Sequence, residues 1–187
     1  TLALAEQALK AVDHVYAASK QSVSALTMVD GRVKSALMEQ HQHAAHGLAW
    51  LATYREALRE LIAYAQRLQG EGLYGPTEML IVEIGFAEYL AQIEGGIPMN
   101  QGEIVRLAAL GVSQSDARAF SGDVAVRALI ASGSNPEKRT RLVAAMQEQT
   151  GAAMVGADGL DETMEAFRSE MRRFAADEVE PHAHEWH

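Results

Sequence analysis

One stretch of the sequence is apolar on almost every face of a helix, and this stretch most constrains the fold. Between Thr77 and Glu94 most residues are aliphatic or aromatic, and no proline interrupts them. A helix that is apolar nearly all round is buried in a bundle or an interface. Pro76 suits the first turn of this helix, where its missing N–H needs no partner, and Gly95-Gly96-Ile97-Pro98 ends it. The segment therefore predicts a protein of packed helices.

The composition supports the same fold class. The 187 residues include 4 prolines, and only 6% of them are aromatic. A core built from Leu, Ala, Met, Val and Ile is typical of packed helices, and a chain of this length can bury a substantial core. We expect an all-α protein: a helical bundle followed by a linker and one terminal amphipathic helix.

Charge and cysteine content exclude several functions. Lys and Arg number 16 against 25 Asp and Glu, which gives a net charge of −9. This acidity argues against a nucleic-acid partner, and no apolar run is long enough to predict a membrane span. The absence of cysteine excludes disulfides, thiol nucleophiles and Cys-ligated metals. With no basic n-region at the start, we expect a soluble cytoplasmic protein.

Several further helices are predicted from apolar spacing. The breaker Asp30-Gly31 separates the first two, and Ser113 and Asn135 are expected to act as N-caps. In the second helix an apolar seam suited to helix packing consists of Leu48, Leu51, Leu58, Ile62 and Ala65. The predicted helices beside 77–94 are Leu2–Thr27, Arg32–Gln69, Gln101–Leu110, Ser115–Ser132 and Pro136–Gln149.

A glycine-rich stretch, with Gly151, Gly156 and Gly159, predicts a boundary. We divide the chain into a helical bundle over 1–150, a linker over 151–160 and a terminal helix over 161–187. Asp161 is expected to cap that helix, and Pro181 to break or kink it. A regular buried seam is predicted from the spacing of Met164, Phe167, Met171 and Phe174.

Two groups of histidines raise the question of a metal site. Glu39, His43 and His46 share one helix face, and di-iron bundles place such ligands on helices. The matching sets on other helices are absent, with Glu88 and Glu94 the only acids that would face them. The alternative is a hydrated polar face. His182, His184, Glu185 and His187 form the second group, at a terminus where preorganised sites are rare. We expect no metal.

Residue chemistry also predicts no catalytic or cofactor-binding residue. The serines, such as Ser113, Ser121, Ser132 and Ser134, lie in predicted caps and turns. No nucleophile elbow and no phosphate-binding glycine loop is present. The stretch Gly151–Gly159 follows a predicted helix, whereas a dinucleotide fingerprint follows a strand.

The terminal segment Phe167–Trp186 resembles the opening helix of the acyl-CoA dehydrogenases. That opening reads Phe-Arg, then Arg-x-Phe, then Val-x-Pro, and a few residues later Trp. The corresponding residues here are Phe167, Arg168, Arg172 or Arg173, Phe174, Val179, Pro181 and Trp186. The match covers a minor part of the chain, but its aromatic, proline and tryptophan positions all fall in register.

The resemblance implies a place in a larger enzyme. In this family the opening helix leads into a helical domain, a β-domain and a C-terminal four-helix bundle. The enzymes use FAD to oxidise the Cα–Cβ bond of an acyl-CoA, and the flavin site and catalytic base come after the opening helix. This chain is then expected to be an N-terminal segment without cofactor, inactive alone. Its implied partners are the remaining dehydrogenase domains, further copies in a homo-oligomer and, for the whole enzyme, an acyl-CoA.

A weaker resemblance lies inside the bundle. Residues 87–97 are similar to a helix of the family's C-terminal bundle that ends in His-Gly-Gly, and 103–106 to the Glu-Ile-x-Arg after its catalytic segment. Glu94 replaces the histidine, and Met99 falls about where a base carboxylate could sit. The segment is either a copy that lost its chemistry and kept its packing surface, or a coincidence between Ala-rich helices.

Two roles remain open for the extension. A bundle fused to a dehydrogenase could cover the apolar surface through which these enzymes form tetramers, so that a smaller oligomer suffices. The alternative is a stand-alone helical interaction module whose last helix resembles the dehydrogenase opening by chance.

Overall fold

The computed structural model describes residues 2–148 and 156–186. The chain divides into two compact units, Thr1–Val155 and Gly156–His187. Helices account for most of the described residues, and the two small sheets have two strands each, so the predicted all-α class is confirmed. Within the described residues, no helix combines the length and apolar character needed to cross a membrane.

The first unit contains seven α-helices among its described residues. They are α1 (Leu2–Thr27), α2 (Ser35–Gln40), α3 (Gln42–Gly70), α4 (Pro76–Gly95), α5 (Gln114–Gly122), α6 (Val124–Gly133) and α7 (Pro136–Glu148). Two antiparallel hairpins pair β1 (Met28–Val29) with β2 (Arg32–Val33) and β3 (Ile97–Pro98) with β4 (Ile104–Val105). A 3-10 turn follows at Leu107–Leu110.

Four helices enclose the core. α1 packs on α3 and α6, and α4 packs on the same two helices from the other side. The seam predicted on α3 is confirmed, since Leu51, Leu58, Ile62 and Ala65 are buried and Leu48 packs against the core. α1 contributes mostly small side chains, which lets neighbouring helices approach closely; those buried at 0% exposure are Ala5, Ala8, Val12, Val15 and Ser19.

α4 lies at the centre of the unit, as its apolar sequence predicts. Pro76 is its first residue, and the Glu78 carboxylate accepts a hydrogen bond from the Gly75 N–H (3.0 Å). Its buried residues include Leu80, Val82, Phe86, Leu90 and Ile93. Ile81, Ile84 and Tyr89 are only partly buried, so one face of this apolar helix is left partly uncovered.

The single helix predicted over Arg32–Gln69 is wrong in its first part. Asp30 (φ 51°) and Gly31 (φ 72°) both adopt left-handed backbone, as a two-residue hairpin turn requires. The turn pairs Arg32–Val33 with Met28–Val29 instead of starting a helix. His41, at φ −113° and ψ 28°, then separates α2 from α3.

Two other predicted helices are also corrected. In place of a helix over Gln101–Leu110, the Asn100 side chain accepts from the Gly102 N–H (2.9 Å) and closes a turn between β3 and β4. Ser115–Ser132 is divided into α5 and α6, because the Asp123 carboxylate accepts hydrogen bonds from the N–H groups that begin α6.

The predicted caps are confirmed. Ser113 Oγ accepts from the Asp116 N–H (3.1 Å), and Asn135 Oδ1 accepts from the Glu137 N–H (2.8 Å) just before Pro136 opens α7. The helix predicted over Pro136–Gln149 is described as far as Glu148. Residues 151–155 of the predicted linker lie outside the described ranges, so the linker over 151–160 stays a prediction.

The second unit is one helical path. It consists of α8 (Glu162–Phe174), a π turn (Ala175–Val179), a 3-10 turn (Glu180–His182) and α9 (Ala183–Trp186). Asp161 Oδ1 caps α8 by accepting from the Met164 N–H (2.8 Å), as predicted. The turns away from α geometry lie around Pro181, which has no N–H to donate.

Candidate interaction surfaces

The clearest functional feature of the second unit is the apolar seam of α8. Met164, Phe167, Met171 and Phe174 are 56%, 65%, 51% and 55% exposed, so the prediction that this seam is buried is wrong for the described chain. The second unit is one nearly continuous helical segment, so it contains no other element that could cover the seam. α8 contains no buried residue. Four large apolar side chains in line mark an interaction face.

Ion pairs hold the first turns of α8 beside this seam. Arg168 pairs with both Asp158 and Glu165. The Leu160 N–H and the Arg168 guanidinium together hold the pKa of the Asp158 carboxyl below its ordinary value. These contacts join the turn before α8 to its first turns, so the helix is ordered locally while its apolar face stays open.

A second surface is a groove of about 530 Å³ between α3 and α4. Leu61, Tyr64, Ile81 and Tyr89 supply apolar walls, and Glu60 and Arg67 stand at the α3 side. A Cβ built on Gly85 would lie 2.9 Å from Leu61 Cδ1, so the absence of a side chain on α4 makes room for Leu61. The Arg67 guanidinium lies 5.8 Å from the centre of the Tyr64 ring.

A polar cluster joins α3 to the second hairpin. His43 Nδ1 lies 2.9 Å from Glu103 Oε1, and Asn100 Nδ2 donates to Glu103 Oε2 (3.0 Å). The hydrogen bond from His43 is the main reason that the pKa of Glu103 lies below its ordinary value. The cluster ties together residues 60 positions apart in the sequence.

This pairing leaves the residues of the candidate metal site separate. His43 contacts Glu103, and His46 Nε2 accepts a hydrogen bond from the Trp50 indole (3.0 Å). Glu88 pairs with Arg139 of α7, and Glu94 is exposed. Across residues 2–148 and 156–186, no group of three or more His, Asp or Glu side chains is arranged to hold a metal ion.

The terminal histidines have local contacts. His182 stacks on Trp186 with ring centres 5.4 Å apart, and its Nδ1 lies 3.7 Å from Glu185 Oε2. His187 lies outside the described residues. Among the serines, Ser113 caps α5, and Ser132 Oγ donates to the Leu129 carbonyl (3.3 Å).

The segment with the weaker family resemblance forms the turn from α4 into the second hairpin. Gly96 has φ 129°, and a Cβ built on it would lie 2.5 Å from Ile104 Cγ2. Met99 is buried. Gly96 therefore allows the chain to pass close to Ile104 at this turn.

Sequence reasoning predicted the spacing of the α8 seam but expected the seam to be buried, and it predicted α4 as buried in a bundle or an interface. It also missed two features. The α3 side of the groove was not predicted, because Leu61 and Tyr64 fit the apolar face of an ordinary amphipathic helix. Glu103 was missed as the partner of His43 because the pairing depends on a hairpin that was predicted as a helix. The turn-forming residues Asn100-Gln101-Gly102 are the sequence signal that could have indicated this hairpin.

Comparison with known proteins adds one match. No family model matches the chain. The chain is 46% identical over 186 residues to a protein of Cereibacter sphaeroides named (2S)-methylsuccinyl-CoA dehydrogenase. The alignment includes all of this chain and 33% of that relative, so the chain spans about a third of the length of the curated relative that it matches. The resemblance to an acyl-CoA dehydrogenase, first visible at Phe167–Trp186, is thereby confirmed and extends over the whole chain.

Proposed function

We propose that this chain is an accessory, N-terminal helical part of an FAD-dependent acyl-CoA dehydrogenase that acts in the cytoplasm. In this proposal the unit Thr1–Val155 is structural, the unit Gly156–His187 begins the dehydrogenase core, and the chain is inactive alone. The observation that carries it is the 46% identity of the whole chain to a third of one such dehydrogenase. The α,β-oxidation of an acyl-CoA then belongs to the whole enzyme.

The exposed seam of α8 supports the docking part of the proposal. Burying four large apolar side chains contributes several kcal/mol in total, at about 25 cal/mol per Å² of apolar surface, which is enough to hold a helix against a folded domain. We infer that the seam packs against the part of the dehydrogenase that this chain does not include.

The glycine geometry supports a flavin site elsewhere. A dinucleotide needs backbone N–H groups or cations to face its phosphates. Gly96 and Gly111 have positive φ, but an added Cβ would meet Ile104 at 2.5 Å and Ser22 at 1.8 Å, respectively, so their backbone is closed against the chain itself. Gly31 and Gly72 also have positive φ and are open, but Gly31 lies in the turn of a hairpin and Gly72 follows α3, whereas a dinucleotide fingerprint lies between a strand and a helix. We assign no step of the flavin chemistry to the described residues.

The docking proposal is tested with the remaining two thirds of the Cereibacter sphaeroides relative, prepared without its matching segment. The 187-residue chain is expected to bind it, and Phe167→Ala with Phe174→Ala is expected to weaken binding at least about tenfold, as for buried aromatic anchors. Ser169→Ala, on the opposite face of α8, is the matched control. Binding that is unaffected by both phenylalanine substitutions, or no binding by the unaltered chain, contradicts the proposal and favours the stand-alone module.

A further inference from the structure

We propose that the groove between α3 and α4 is a self-association surface, in which a second copy of this chain packs its own α3 antiparallel across a two-fold axis beside Tyr64. The inference concerns the unit Thr1–Val155 and does not depend on the docking of α8.

The first argument is the uncovered apolar area. Leu61, Tyr64, Ile81 and Tyr89 are all only partly buried and line one continuous groove. Gly85, where Leu61 crosses α4, stands midway between Ile81 and Tyr89, one turn from each. Apolar walls of this kind on both helices offer a partner helix a surface on which to pack.

The second argument is the charge pattern, which selects a second copy of this chain as the partner. Glu60 and Arg67 are exposed, carry opposite charges and lie seven residues, or about two turns, apart on the same side of α3. An antiparallel copy related by a two-fold axis between them places Glu60 of each chain opposite Arg67 of the other. A two-fold symmetric contact therefore forms two equivalent Glu60–Arg67 pairs.

The third argument is where the two-fold axis falls along the groove. The midpoint of Glu60 and Arg67 falls between Ala63 and Tyr64, within one helical turn of the Leu61–Gly85 crossing. Ala63 is small and exposed, so the two α3 helices have room to approach there. The apolar centre of the groove and the charge midpoint thus coincide within a turn.

The test measures the dimer dissociation constant by sedimentation of the 187-residue chain carrying Phe167→Ala and Phe174→Ala, which removes the two aromatic side chains of the α8 seam. We expect Glu60→Arg and Arg67→Glu each to weaken the dimer by about tenfold, because each creates two like-charge contacts across the axis. The double exchange, Glu60→Arg with Arg67→Glu, is expected to restore it. Glu148→Arg, the same charge change at the end of α7, is the matched control.

Several results would overturn the inference: a monomer at all concentrations in this background, single substitutions without effect, or a double exchange no better than either single change. Cross-linking gives an independent test, since the chain contains no cysteine. A short bis-maleimide should link copies carrying Ala63→Cys, which meet at the axis, and should not link copies carrying Ala49→Cys, an exposed position on the same helix. Equal linking of the two variants also overturns it.

Discussion

At the scale of single residues, the His43–Glu103 contact shows how a polar pair fixes a hairpin to a helix. Glu103 accepts from both His43 and Asn100, and Asn100 in turn closes the turn of that hairpin through Gly102. One carboxylate therefore connects α3 to the chain that leaves α4, near the end of the four-helix core.

This contact predicts a pH dependence of stability. The folded-state pKa of Glu103 is lowered by its hydrogen bond from His43, so its contribution is present above the unfolded pKa and is lost as pH falls through the folded one. We expect Glu103→Gln to lower the urea midpoint of unfolding at neutral pH, with the difference shrinking in acid. Glu148→Gln serves as the control. A difference that stays constant down to strongly acidic pH would contradict the account.

Single residues also show which contacts can be predicted from the sequence. Ser113, Asn135 and Asp161 were predicted as caps and act as caps, because a cap depends on neighbours within three residues. The partners of His43 and Glu88 were not predictable in the same way. Glu103 belongs to the second hairpin and Arg139 to α7, so each pairing depends on which elements meet, and local spacing does not indicate that.

At the scale of elements, the close approach of α4 and α6 holds the bundle together. Gly133, at the end of α6, sits where an added Cβ would lie 2.2 Å from the Glu83 carbonyl oxygen and 2.5 Å from Ala87 Cβ. The Lys138–Glu83 and Arg139–Glu88 pairs extend the contact from α4 to α7. A glycine at this point lets the backbones touch.

Gly133→Ala is therefore expected to destabilise the bundle by about 1–3 kcal/mol, since the backbone of α4 would have to shift. Gly95→Ala is the control, because Gly95 ends α4 with nothing within 4 Å of an added Cβ. The measurement is chemical denaturation of both variants beside the unaltered chain. Equal stability of the two variants would mean that the α4–α6 contact is looser than described.

The sequence predicted long helices more successfully than their interruptions. α1 and the seam of α3 follow from periodicity over many residues, and α4 follows from a long apolar run between Pro76 and Gly95. The two hairpins were missed because each strand has only two residues, too few for an alternating pattern to appear. The α8 seam was predicted from its spacing, but whether it is covered depends on a partner and not on the helix.

At the scale of the whole molecule, the two units differ in how far they bury their own apolar side chains. The unit Thr1–Val155 encloses its own core, whereas α8 of the unit Gly156–His187 presents its apolar seam to solvent. This difference fits the function proposed above, in which the bundle is a structural addition and α8 is the point of attachment to the catalytic part.

The central claim, that flavin chemistry lies outside this chain, is tested most directly by its flavin content. The 187-residue chain is purified in the presence of excess FAD, freed of unbound cofactor, and its flavin absorbance is measured against protein concentration. The account predicts no stoichiometric flavin, and accordingly no oxidation of acyl-CoA. One FAD retained per chain would contradict it.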